Sequence, residues 1–164
     1  ILGPKTLSKL NNQIYGIHPS LLPKYRGPSP LQQQILDGIT ETGVTIFKID
    51  LGEDTGPIIA STHDKILSED TKITLGKRLF SLGTDLFMNN QESIINNQGT
   101  PQDNCLATHT KKFTRQDGFI TWEMFNDQSS MIKEKINRMK RAFFPWPGVW
   151  TIDPEGKRIK VFEN

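Results

Sequence analysis

Apolar residues fall into short blocks along this chain, and the blocks alternate in period. Residues 13–17 are a brief apolar run that stops at His18 and Pro19, where proline removes a backbone donor and closes a strand. Residues 44–49 are apolar at almost every position, the pattern of a strand buried on both faces. Between them Pro28-Ser29-Pro30 opens a helix over 31–36, and Asp37-Gly38 ends it. Ile1 and Leu2 read as the end of a strand, a short helix over 6–10 precedes the strand over 13–17, and residues 57–66 predict another strand. Ser68-Glu69-Asp70-Thr71 is a helix start with acidic residues placed for the dipole. Leu75, Leu79, Leu82 and Leu86 then recur at helical spacing, so a helix to about residue 97 packs one face on the sheet. The succession predicts an α/β fold, with a parallel sheet and helices on its faces.

Asn, Gly, Pro and Gln between 96 and 103 mark a boundary. Residues 119–122 read as a strand with Trp122 buried. A helix over 130–143 carries Ile132, Ile136, Met139 and Phe143 on one face. Its other faces carry Lys133, Lys135, Arg138, Lys140 and Arg141 against Glu134. These five cations are expected to point outward, as a solvated face or as a surface for phosphates. A hairpin follows, 149–152 and 157–162, turned by Asp153-Pro154-Glu155-Gly156. The expected organisation is a first domain over 1–97, a linker over 98–110, and a small β-rich domain with one helix over 111–164.

Composition narrows the field. With 164 residues and 35% hydrophobic content, the chain suits one large domain or two small ones. No apolar run is long enough to cross a membrane. A single cysteine, Cys105, excludes an internal disulfide and fits a reducing compartment. Three histidines and that cysteine have no zinc-ligand spacing, so no metal is expected. The net charge of +2 hides an asymmetry: residues 1–100 carry 9 Lys/Arg and 10 Asp/Glu, and residues 101–164 carry 11 and 8. The basic excess near the C-terminus hints at an anionic partner there.

The candidate chemistry sits between residues 16 and 56. The strand–helix–strand reading puts His18 and Asp54 in loops at the carboxyl ends of two strands, where ligands of α/β sheets bind. An imidazole titrates near neutral pH, and a neighbouring carboxylate orients it and raises its pKa. Taken alone, His18 also reads as a strand cap and Asp54 as a turn residue.

The residues around them form a long motif: His18-Pro19-Ser20-Leu21-Leu22-Pro23, Tyr25-Arg26-Gly27-Pro28-Ser29-Pro30, Glu41-Thr42-Gly43-Val44-Thr45 and Asp54-Thr55-Gly56-Pro57-Ile58. This motif resembles the folate-dependent formyltransferases, most closely those acting on methionyl-tRNA. The likeness covers nearly the whole chain, and it implies the following. The fold would be the C-terminal half of a Rossmann-like formyltransferase domain, followed by a small barrel-like domain of the oligonucleotide-binding kind. The chain would be a piece, because the family has a half-domain of strands and helices before this point. The reaction would move a formyl group from 10-formyltetrahydrofolate to the amine of methionine on initiator tRNA. The catalytic pair would be His18 and Asp54, the protonated imidazole donating to the oxyanion and Asp54 keeping it charged. Ser20, Leu21, Leu22, Pro23, Gly52 and Glu53 would line the folate site. Lys133, Lys135, Arg138, Lys140 and Arg141 would meet tRNA. The family's catalytic Asn, two residues before the His, is replaced by Gly16. The expected setting is the cytoplasm, or a mitochondrial matrix or plastid, and the expected state is a monomer. A sugar-nucleotide N-formyltransferase and a non-catalytic tRNA-binding paralogue are the alternatives.

Overall fold

The computed structural model describes residues 3–10, 13–96 and 98–161; the expected strand end at Ile1 and Leu2 and the hairpin end at Phe162 lie outside them. In chain order the elements are α1 (Pro4–Lys9), β1 (Tyr15–His18), α2 (Pro30–Asp37), β2 (Glu41–Lys48), β3 (Ile58–Lys65), α3 (Lys72–Asn89), α4 (Gln91–Ile95), α5 (Trp122–Asn126), α6 (Ser130–Phe143), β4 (Trp150–Ile152) and β5 (Arg158–Lys160).

Strands β1, β2 and β3 lie side by side in that order. Residues 42–47 of β2 are all buried, as their continuous run requires of a central strand. Both pairings are antiparallel, with Gly16 opposite Phe47, Ile17 opposite Ile46 and His18 opposite Thr45. The expected parallel sheet is thus corrected among the described residues. The reason is the route of α2, which lays its apolar side on α6 and α3 and does not carry the chain back to the start of β1. Antiparallel register sorts the side chains onto two faces. Ile17 and Val44 meet α3, where Gly83 lets the helix approach: a Cβ there would lie 2.6 Å from Ile17 Cγ2. Gly16, His18, Thr45 and Phe47 share the opposite face.

Helix α3 starts at a capping box made by Thr71 and Thr74. Leu75 and Leu79 are fully buried, each contributing about 2 kcal/mol of apolar burial. Asp70, left outside the helix, accepts from both Nη atoms of Arg78.

The second half of the chain differs from its expectation. Thr121 caps a helix at Trp122, accepting from Met124 N–H, so residues 119–122 are not a strand and Trp122 is only half-buried. β4 and β5 form a two-stranded sheet of three residues each. A separate barrel over 111–164 is not what the described residues build. Phe113, Ile120, Met139, Phe143 and Val149 join Ile35, Leu75 and Leu79 in one apolar core. These residues therefore close the first half's core and leave no apolar interior for a barrel of their own.

Candidate active site

The loop after β1 is pinned to β2 and α2 by buried polar groups. The Thr45 hydroxyl donates to Ser20 O at 2.7 Å and accepts from Leu22 N–H at 3.1 Å. Gln34 donates to Pro19 O and Pro30 O, and its oxygen accepts from Thr42. Unpaired, each of these groups would cost about 1–3 kcal/mol, so the loop's path is strongly determined.

This path aims His18. Its Nε2 lies 2.8 Å from Tyr25 O. A carbonyl only accepts, so Nε2 carries the proton and Nδ1 is the atom that gains or loses one. Nδ1 lies 3.5 Å from Asp54 Oδ2. The same Oδ2 accepts from Gly27 N–H at 2.8 Å. Asp54 reaches His18 although the end of β2 lies opposite the start of β1, because residues 49–57 fold back over the sheet end. Asp50 Oδ1 braces that loop, accepting from Gly52 N–H and the Thr55 hydroxyl. Asp54 itself sits at φ 55°, a left-handed conformation that Asp tolerates better than most residues.

The charge state corrects the sequence expectation. His18 is 6% exposed. Burial pushes its pKa below the ordinary 6.5, outweighing the Tyr25 carbonyl and Asp54, which raise it. The resting imidazole is therefore favoured neutral, not held charged by Asp54. Its bare Nδ1 and the Asp54 carboxylate are two acceptors 3.5 Å apart. Linkage then gives a stability prediction. The unfolded chain takes up a proton at His18 from about pH 6.5 downward while the folded one resists. The Tm should fall as pH drops from 7 to 5, and the fall should be smaller in His18→Gln. Equal pH dependence in both proteins would show that His18 is not buried neutral.

The other expected site residues divide. Gly52 and Glu53 join Asp54, Gly27, Pro28, Phe47 and Ile49 around a cavity of about 300 Å³. Ser20 and Leu22 are buried inside the loop scaffold, and Leu21 faces a different cavity, beside Tyr25 and Thr42. Pro23 O is used by Thr108 N–H. Gly16 lies on the His18 face, where a Cβ would stand 2.7 Å from Phe47 Cε1. The Phe47 ring thus fills the space into which a side chain at 16 would grow.

Of the five cations on α6, Lys133 and Lys135 are exposed, and Lys140 is half-buried beside Lys133 on a groove of about 530 Å³. The expectation that all five point outward is corrected for two of them. Arg141 donates to Asp70 O at 3.0 Å. Arg138 packs on Gly38 and faces Glu134 at 3.7 Å. Both arginines border a cavity of about 230 Å³ shared with Ile35, Ile39, Ile66 and Leu67, so that flank of the helix faces the turn between α2 and β2 and the end of β3. Sequence reasoning missed Tyr25 O, Gly27 N–H and Phe47. The first two act through backbone, for which the only signal is the loop's Gly and Pro density.

The family described as "Formyl transferase" matches residues 1–90. A methionyl-tRNA formyltransferase of Roseiflexus sp. (strain RS-1) is 42% identical over 138 residues, covering 83% of this chain and 40% of that protein. The chain thus spans less than half the length of the curated relatives it matches. The crystal structure of an N-formyltransferase from Helicobacter canadensis, in complex with folinic acid and dTDP-3-aminofucose, superposes with a TM-score of 0.70 at 28% identity. It covers 88% of this chain and 52% of that one. A 4-N formyltransferase from Francisella tularensis shares the fold, with a TM-score of 0.77 at 23% identity over 100% of this chain and 66% of that one.

Proposed function

The chain belongs to the formyl transferase family, and on that premise we propose that it transfers a formyl group from 10-formyltetrahydrofolate to the amine of methionine on initiator tRNA. The observation that carries this reading is the pair of acceptors, His18 Nδ1 and Asp54 Oδ2, 3.5 Å apart. Two acceptors this close suit a neutral amine, which brings two N–H donors and keeps its lone pair for the attack. His18 Nδ1 takes the proton as the amine nitrogen bonds to the formyl carbon. Asp54 stabilises the imidazolium that results. His18 then returns the proton to the departing folate nitrogen as the old carbon–nitrogen bond breaks, so the proton count closes. Folate, when bound, supplies the activated formyl carbon. Phe47, Pro28 and Ile49 give the cavity beside Asp54 an apolar wall, which fits one edge of a flat heterocycle. Its size lies at the low end for small-molecule sites. The gap left by Gly16 is filled by the Phe47 ring rather than by a donor, so the proton work rests on His18 and Asp54.

For the acceptor, tRNA is supported by the methionyl-tRNA formyltransferase relatives and by the Lys133–Lys140 groove. A sugar-nucleotide acceptor is the second reading. It is favoured by the inward turn of Arg138 and Arg141, which leaves three of the five cations for phosphates. The discriminating experiment compares methionyl-tRNA with a dTDP-amino sugar as acceptors for the intact protein. Wild type should formylate the tRNA. Lys133→Ala/Lys135→Ala/Lys140→Ala should bind it more weakly, with a salt slope flatter by roughly one for each phosphate no longer neutralised. Unchanged binding at every salt concentration, with transfer to the sugar, would decide for the second reading.

A further inference from the structure

The segment read as a linker is wired into the candidate site. Arg26 is 3% exposed, and its Nε and Nη2 donate to Gln102 Oε1 at 3.0 and 2.7 Å. Nη2 also donates to Asn104 Oδ1 at 3.0 Å. The Gln102 Nε2 donates in turn to Asp54 O at 2.8 Å and Gly56 O at 2.7 Å. A guanidinium only donates and a carbonyl only accepts, so the Gln102 amide has one allowed orientation, and all four of its hydrogen-bonding positions are used. The two carbonyls it holds belong to the turn that carries Asp54 in its left-handed conformation. On the other side, Gly27 N–H, next in sequence to Arg26, holds the Asp54 carboxylate. Arg26 N–H donates to Thr108 O and Arg26 O accepts from Thr110 N–H, which fixes the loop to the same segment.

We infer that Gln102, oriented by Arg26, is a positioning residue that holds the Asp54 turn so that its carboxylate faces His18. The inference rests on the proposed roles of His18 and Asp54, but its first test needs no formyl transfer. Gln102→Met keeps the length and removes both donor and acceptor. By NMR titration, the His18 pKa should fall below that of wild type, because Asp54, the charged group that raises it, is less well held. In an Asp54→Asn background the added Gln102→Met should cause no further shift. A side chain that merely stabilised the fold would not show this dependence on Asp54. In transfer assays kcat should fall roughly ten- to hundredfold with KM near wild type, as for a small misplacement of a reacting group.

Gln102→Glu guards against unfolding when Arg26 loses its acceptor. It keeps the oxygen for Arg26 but cannot donate to the Asp54 and Gly56 carbonyls. It should stay folded, lose kcat similarly, and move the Gly27 amide proton upfield as that hydrogen bond weakens. A wild-type His18 titration in Gln102→Met, or an equal His18 shift with and without Asp54, overturns the inference. So does a wild-type Gly27 amide in Gln102→Glu. If the wild-type protein transfers no formyl group but these shifts occur, the positioning stands and the formyl reading falls.

Discussion

Replacing Asp54 by Asn should lower formyl transfer by roughly 10²–10⁴-fold, the range of a general acid–base contribution, with little change in KM or Tm. Asn is a clean probe here. The Asp54 oxygen that faces His18 also accepts from Gly27 N–H. An Asn must keep its oxygen there, because its amide nitrogen would set donor against donor. Position is thus retained and only the charge is lost. Without that charge the imidazolium formed during transfer loses its stabilising partner, and the His18 pKa drops further. The Gly27 N–H keeps its acceptor, so the turn should keep its place. A rate within threefold of wild type, measured with the amine acceptor saturating, would remove the carboxylate from the proton pathway.

Gly56→Ala should be strongly destabilising. A Cβ at 56 would stand 1.7 Å from Lys48 O, a backbone atom that no rotamer change can move aside. Lys48 N–H also bonds Pro57 O, so the end of β2 and the turn must separate together. Overpacking of side chains costs about 1–3 kcal/mol, and a backbone clash belongs at or above the top of that range. The Tm should fall by roughly 6–12 °C for about 3 kcal/mol in a protein of this size. Transfer should be lost as well, because Gly56 O and Asp54 O are held by the same Gln102 amide. A Gly56→Ala protein with wild-type Tm and rate would mean that the turn is not a rigid support for Asp54.

How much of this was legible in the sequence differs from element to element. The central burial of β2, the bounds of α6 and the Asp153–Gly156 turn follow from local pattern, because each depends on residues within one or two turns of chain. Strand direction does not. A continuous apolar run records burial on two faces and says nothing of orientation, which was set by α2 packing on α6 and α3. The meeting of His18 with Asp54 was readable from the long motif around them, but His18's charge state was not. Its pKa is set by three-dimensional burial, which the neighbouring carboxylate does not outweigh. Arg138 and Arg141 show the same limit, since a basic helix face looks solvated until the turn that it faces is known. Gln102 lay furthest from view. A lone Gln in a Pro- and Asn-containing stretch carries no signal, and its partners are backbone carbonyls 46 and 48 residues away.

The most direct test of the account is a single-turnover assay with the intact protein in excess over methionyl initiator tRNA and with 10-formyltetrahydrofolate saturating. Wild type should form N-formylmethionyl-tRNA, and His18→Ala should slow that step by at least about a hundredfold while remaining folded. A wild-type rate in His18→Ala, or no formylated methionine from the wild-type protein, would contradict it.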